Sequence, residues 1–247
     1  MIFPNAPKSW WAIIVPWALT LSILYFDFMQ PEVYRTNPVI IFSIPILLSL
    51  IFMRNESFEQ IVKSFGLDMP TWRDKAVNII AVLLGIVVGF AIYEYITLGM
   101  SVIPLYFIPL ASTGITSLFM LYMVVAVGEE VMTLQYGKIA ANKLNEDYGF
   151  TEKQSIFNGI VIARAFWSSM HWFSYQGYVG IENLPLFIVA WGFGMIFSTL
   201  SIGLAMLNNR KYLLLASVSA HFCYDLLVSM YVANIINPST FTTIVKF

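Results

Sequence analysis

Seven long runs of mostly apolar residues leave this 247-residue chain few folds to choose from. They cover roughly Trp10–Phe26, Pro38–Met53, Ala76–Thr97, Ser112–Gly137, Ser155–Tyr175, Leu184–Leu207 and Tyr212–Ile236. A helix of about 20 such residues crosses a bilayer. In lipid the backbone must satisfy its own hydrogen bonds, and a helix does so within one segment. The expected fold class is all-α: a polytopic membrane helix bundle of seven transmembrane helices, or eight if the stretch Ser101–Leu110 is re-entrant. The second run is short for a span. The run that follows Lys8 lacks a small-x-small cleavage site, so it reads as a retained helix rather than a signal peptide. No internal repeat and no low-complexity linker divides the chain. Residues 1–247 therefore read as a single transmembrane domain, with the motif-bearing core at about 112–236.

Charge supports this reading and removes others. Only 11% of residues are charged, against about 25% in soluble domains. The net charge of −1 offers no basic footprint for nucleic acid. The single cysteine, Cys223, leaves no intrachain disulfide or CxxC metal knuckle. Outside the runs, Lys and Arg alternate: the N-terminal segment and every second segment after it hold 10, the others 2. The positive-inside rule then places the N-terminus in the cytoplasm and the C-terminus outside, in a membrane expected to be a prokaryotic plasma membrane. Between the second and third runs, Phe58, Ile61, Val62 and Phe65 recur at helical spacing, which predicts an amphipathic helix on the membrane surface.

Six ionisable residues lie well inside the runs: Glu129, Glu130, Arg164, His171, His221 and Asp225. A seventh, Glu94, sits between tyrosines near a run's end and reads as interfacial. A charge at a helix centre costs about 2.5–3.5 kcal/mol to insert, so the inner set must face the bundle interior or a wet cavity. Spacing gathers them. His221 and Asp225 are four residues apart, as are Trp167 and His171, so each pair shares a helix face. Arg164 lies two turns before His171 on that face. Adjacent Glu129 and Glu130 point about 100° apart, so one can face a cavity while the other reaches a neighbouring helix. The chain's only two histidines both lie in runs, each on a helix that also carries a charge.

This set suits water activation: a Glu takes a proton from water, and imidazoles polarise a carbonyl or stabilise an oxyanion. His171, His221 and Glu129 are also a sufficient ligand set for Zn²⁺, although the HExxH pattern is absent. A serine nucleophile at Ser168 or Ser169, near His171, stays open on spacing alone. Cys223 points away from His221 and reads as packing.

The order Glu-Glu, aromatic-x-x-x-His, His-x-x-x-Asp, each on its own membrane helix, resembles the CPBP family of intramembrane proteases. This family includes the CAAX prenyl endopeptidases and the bacteriocin-processing and bacteriocin-immunity (Abi) proteins. Its motifs EExxxR, FxxxH and HxxxN/D align with Glu129-Glu130, with Trp167 to His171, and with His221 to Asp225. The resemblance implies a membrane-embedded endopeptidase acting on a membrane-associated peptide or protein. Glu129 and His171 would activate water, Glu130 would complete the acidic pair, and His221 and Asp225 would hold the oxyanion. Zinc, if the family chemistry uses one, would sit on Glu129, His171 and His221. Two positions depart from the pattern. Trp167 replaces the family Phe, an exchange of one aromatic for another that reads as mild. Leu134 replaces the family Arg, which removes the cation beside Glu130 and predicts a protonated Glu130. Arg164 either takes that cation's place or snorkels to the interface. Two rival functions stay open: a catalytically weakened family member acting as a membrane regulatory, immunity or binding protein, and a small transporter or proton pathway. The substrate and the oligomeric state are not encoded in any motif. Depth poses a further problem: at about 1.5 Å per residue, His171 lies roughly 25 Å from Lys153 but His221 only roughly 15 Å from Lys211.

Overall fold

The computed structural model describes residues 1–30, 58–68, 70–99, 115–172 and 184–233, with isolated positions 44, 47 and 51. Among them the chain is helical, without strands. The helices are α1 (Trp11–Met29), α2 (Phe58–Phe65), α3 (Trp72–Tyr93), α4 (Ile115–Tyr148), α5 (Glu152–Met170), α6 (Leu184–Met206) and α7 (Leu214–Val232). A short π-helical stretch, Glu94–Gly99, continues α3. Among the described residues four helices are long and apolar enough to cross a membrane, namely α3, α4, α6 and α7, and α1 contributes a shorter apolar segment. The chain is an all-α bundle. Most of the second run and Ser101–Leu110 fall outside the described residues.

Helix ends follow local chemistry. Thr71 caps α3 and Thr151 caps α5 through reciprocal capping boxes with Asp74 and Gln154. The eight-residue α2 forms as its spacing predicts, and its Ile61 and Phe65 pack against the protein core rather than facing lipid alone. The fourth run was expected to stop at Gly137, but α4 continues to Tyr148. Two polar residues just beyond Gly137, Lys138 and Asn142, are buried by protein, while Glu146 and Asp147 at the helix end are exposed. The fifth run was expected to reach Tyr175, but α5 ends at Met170, with His171 as its C-cap.

Helices α4 and α5 form an antiparallel hairpin, with α7 packed between α3 and α4, and α6 against both α5 and α7. Two glycines of α3 permit the close approach of α7. A Cβ on Gly85 would meet the Ala216 carbonyl oxygen at 2.4 Å, and one on Gly89 would meet that of Ala220 at 2.3 Å and Cys223 Cβ at 2.9 Å. Cys223 is thus a packing residue. Because Ala220 precedes His221, this contact sets where α7 presents its histidine. Gly89→Leu should lower the thermal midpoint in detergent, with a cost of about 1–3 kcal/mol from overpacking; an unchanged midpoint would show that the two helices are free to part.

Both arms bear on the depth mismatch. The same number of residues separates Glu129 from Tyr148 on α4 as separates Glu152 from His171 on α5, so the hairpin brings Glu129 and His171 level. On the α7 side, Leu213 is extended (φ −138°, ψ 95°), so this residue rises by about 3.3 Å instead of 1.5 Å and takes up a small part of the difference. Lys211 Nζ also reaches outward to Glu152, 2.9 Å away.

Candidate functional site

Glu129, Glu130, His171, His221 and Asp225 come together, with Arg164, where α4, α5 and α7 meet. Glu129 Oε2 lies 3.7 Å from Nε2 of His171 and 3.7 Å from Nε2 of His221. His221 Nδ1 is 3.0 Å from Glu130 Oε1, and its Nε2 is 3.5 Å from Asp225 Oδ2. Each ring nitrogen of His221 therefore faces carboxylate oxygen, the arrangement that suits a donor at both ends. His171 is oriented by its helix terminus: its Nδ1 is 3.0 Å from the Trp167 carbonyl oxygen, one of the last carbonyls of α5. With Nδ1–H donating to that carbonyl, the Nε2 lone pair points toward Glu129.

Arg164 does not snorkel. It is 0% exposed and pairs directly with Glu130, which is 1% exposed. Its Nε donates to Ser198 Oγ at 2.8 Å, and its guanidinium lies 5.1 Å from the Trp167 ring centroid. The cation beside Glu130 thus comes from the neighbouring helix α5 and not from position 134. This removes the ground for expecting a neutral, unpartnered Glu130. Leu134 is buried in the apolar core. Room for the arginine comes from Gly194 on α6, where a Cβ would meet Arg164 Cδ at 2.7 Å and the Trp167 ring at 3.1 Å.

Trp167 is more than an aromatic equivalent of the Phe in the resembled motif. The indole Nε1–H donates to Glu129 Oε2 at 2.6 Å, a bond a phenylalanine cannot make. A hydrogen bond to a charged group contributes about 1.5–3 kcal/mol. Trp167→Phe should therefore leave the helix in place yet reduce any Glu129-dependent turnover by about tenfold or more. Equal turnover in the two proteins would show that the indole only fills space.

Both serines near His171 are engaged elsewhere. Ser168 Oγ donates to the Phe187 carbonyl at 2.9 Å. Ser169 Oγ donates to the Phe166 carbonyl at 2.7 Å and accepts from Trp17 Nε1 at 2.6 Å. A Ser–His nucleophile is not formed. Among the described residues no group of three His, Cys, Asp or Glu side chains is arranged to hold a metal ion. The Glu129 oxygen facing both imidazoles is also the one the Trp167 indole occupies. As arranged, Glu129, His171 and His221 do not form a zinc site.

Helix α6 carries contributions the sequence reading missed. Ser198 binds Arg164, and the Phe197 ring stacks on His221 with centroids 6.0 Å apart and planes at 21°. The helix holds no ionisable residue, so a search for charges passes over it. The available signal was Ser198, Thr199 and Ser201 clustered in an otherwise apolar run. Glu94, expected to be interfacial, opens the π-helical stretch and is partly buried.

Against known proteins, no family model, no curated protein and no solved structure matches this chain.

Proposed function

We propose that this protein is an intramembrane endopeptidase of CPBP type, hydrolysing a peptide bond of a membrane-associated peptide or protein. The observation that carries this reading is one carboxylate oxygen, Glu129 Oε2, set 3.7 Å from two imidazole nitrogens on two other segments. Such a gap fits one water bonded to oxygen and nitrogen at about 2.8 Å each. Glu129 takes a proton from that water, with the His171 lone pair accepting its second hydrogen bond. The water oxygen attacks the carbonyl carbon, and His221, backed by Asp225 and Glu130, donates to the oxyanion. Collapse breaks the C–N bond as Glu129 returns its proton to the amine nitrogen, leaving a carboxylic acid and an amine. Arg164 pairs with Glu130 and keeps it in place to orient His221. The ends bearing the alternating Lys and Arg face the cytoplasm of a prokaryotic cell, with the N-terminus inside and the C-terminus outside.

The direct test is mass spectrometry of peptides cleaved by the purified protein in liposomes, with Glu129→Gln as the inactive comparison. Metal chelators should leave the cleavage rate unchanged. Loss on chelation that is restored by Zn²⁺ would instead assign Glu129, His171 and His221 as ligands in a rearranged site.

A further inference from the structure

Behind Glu130, on the side away from Glu129, α4, α5, α6 and α7 enclose a small cavity. It is lined by Glu130, Thr133, Ser201, Ser217 and Tyr212, among others. It offers about 10 Å³ to the centre of a water molecule, the size that admits one. Two of its hydroxyls have no hydrogen-bond partner: Thr133 Oγ1 and Tyr212 OH, on residues 2% and 6% exposed. Leaving a buried hydroxyl unpaired costs about 1–3 kcal/mol, and a water that reaches two to four polar groups removes that cost. Burial pushes the Tyr212 phenol up, so it remains a neutral hydroxyl that can both donate and accept.

The outer side of Tyr212 is covered by the chain's own N-terminal residues. The Phe3 ring lies 5.8 Å from the Tyr212 ring. Asn142 grips the Phe3 backbone, accepting from its N–H at 2.9 Å and donating to its carbonyl at 2.7 Å. Lys211 Nζ donates to the Ile2 carbonyl at 2.9 Å.

We propose that this cavity binds water that joins Glu130 to Thr133 and Tyr212, forming a proton relay from His221 to the Lys/Arg-bearing end of the bundle, with Phe3 as its cover. The relay's purpose rests on the reading of His221 as a reacting group. A proton leaves His221 Nδ1 for Glu130, Glu130 passes one to the water, the water passes one to Tyr212, and the phenol releases its own on the outer side when Phe3 lifts. The product carboxylic acid then protonates His221 and leaves as a carboxylate, so every group of the chain ends with the proton count it began with.

Hydroxyl-radical footprinting of the full chain in nanodiscs, read by mass spectrometry, tests the water without any substrate. Tyr122 is the dry control: it is 2% exposed, and its hydroxyl lies 2.5 Å from Ser229 Oγ. Tyr212 should be modified several-fold faster than Tyr122, Thr133→Val should bring it down toward the Tyr122 rate, and Phe3→Ala should raise it. Tyr212 labelling no faster than Tyr122, or labelling indifferent to Thr133→Val, overturns the water site. For the relay, Tyr212→Phe should lower kcat several-fold with KM unchanged, and an unchanged kcat overturns it. Because labelling needs no catalysis, a wet cavity in a protein that cleaves nothing would sink the hydrolase reading alone.

Discussion

Glu129→Gln and His171→Ala should each abolish cleavage of a membrane-associated peptide while leaving the protein folded and inserted. Glutamine keeps an oxygen for the Trp167 indole N–H, so the substitution removes the base and little else. General-base catalysis contributes about 10²–10⁴-fold, so both variants should fall by that factor in kcat/KM. His171 is the cleaner structural probe of the two. It sits at the C-cap of α5, with its Nδ1 on a terminal carbonyl. Truncating it disturbs no interior packing comparable to the Arg164 pair. Cleavage retained in both variants would end the hydrolytic reading. A cellular phenotype kept by both variants, with cleavage absent even in the unaltered protein, would favour the regulatory or immunity reading.

The second large effect concerns stability. Arg164→Leu leaves Glu130 buried without its guanidinium, and breaking a buried ion pair costs about 3–5 kcal/mol. The thermal midpoint in detergent should drop sharply, and much of the protein should fail to accumulate. Position 134 offers a rescue that follows from helix geometry. It is four residues after Glu130 on the same helix, so an arginine there rises on the face that carries Glu130. Leu134→Arg alone should destabilise, because the core position is filled and Glu130 already has its cation. Leu134→Arg combined with Arg164→Leu should recover part of the loss, moving the charge from α5 to α4. If Leu134→Arg alone increases cleavage, Arg164 does not serve Glu130 in the way the pair implies. If the double variant is no better than Arg164→Leu, the two positions are not interchangeable sources of the charge.

Much of the site was legible before any fold was known. The cost of placing Glu129, Glu130 and Asp225 in apolar runs says they must share an interior, and the four-residue spacings of Trp167 with His171 and of His221 with Asp225 say which faces turn inward. Other features were out of reach. Nothing in the run Ser112–Gly137 signals that the helix continues to Tyr148, because charged and amide residues enter beyond Gly137 and only the packing of the bundle makes Lys138 and Asn142 interior. Arg164 had two destinations open to it, and choosing between them needed Gly194 on α6 to leave space and Ser198 to accept its Nε–H. The Trp167 bond to Glu129 depends on the rotation of two helices about their own axes, which a single-helix pattern does not contain.

Periodicity and hydropathy are properties of one segment at a time, so they determined that the chain is a helical membrane bundle and which polar side chains must turn away from lipid. Relative depth and partner choice are properties of helix pairs. The close approach of α3 to α7 at Gly85 and Gly89, the extended Leu213 before α7 and the matched arms of the α4–α5 hairpin decided those. They set Glu129 between two histidines and gave Glu130 the arginine its own helix lacks.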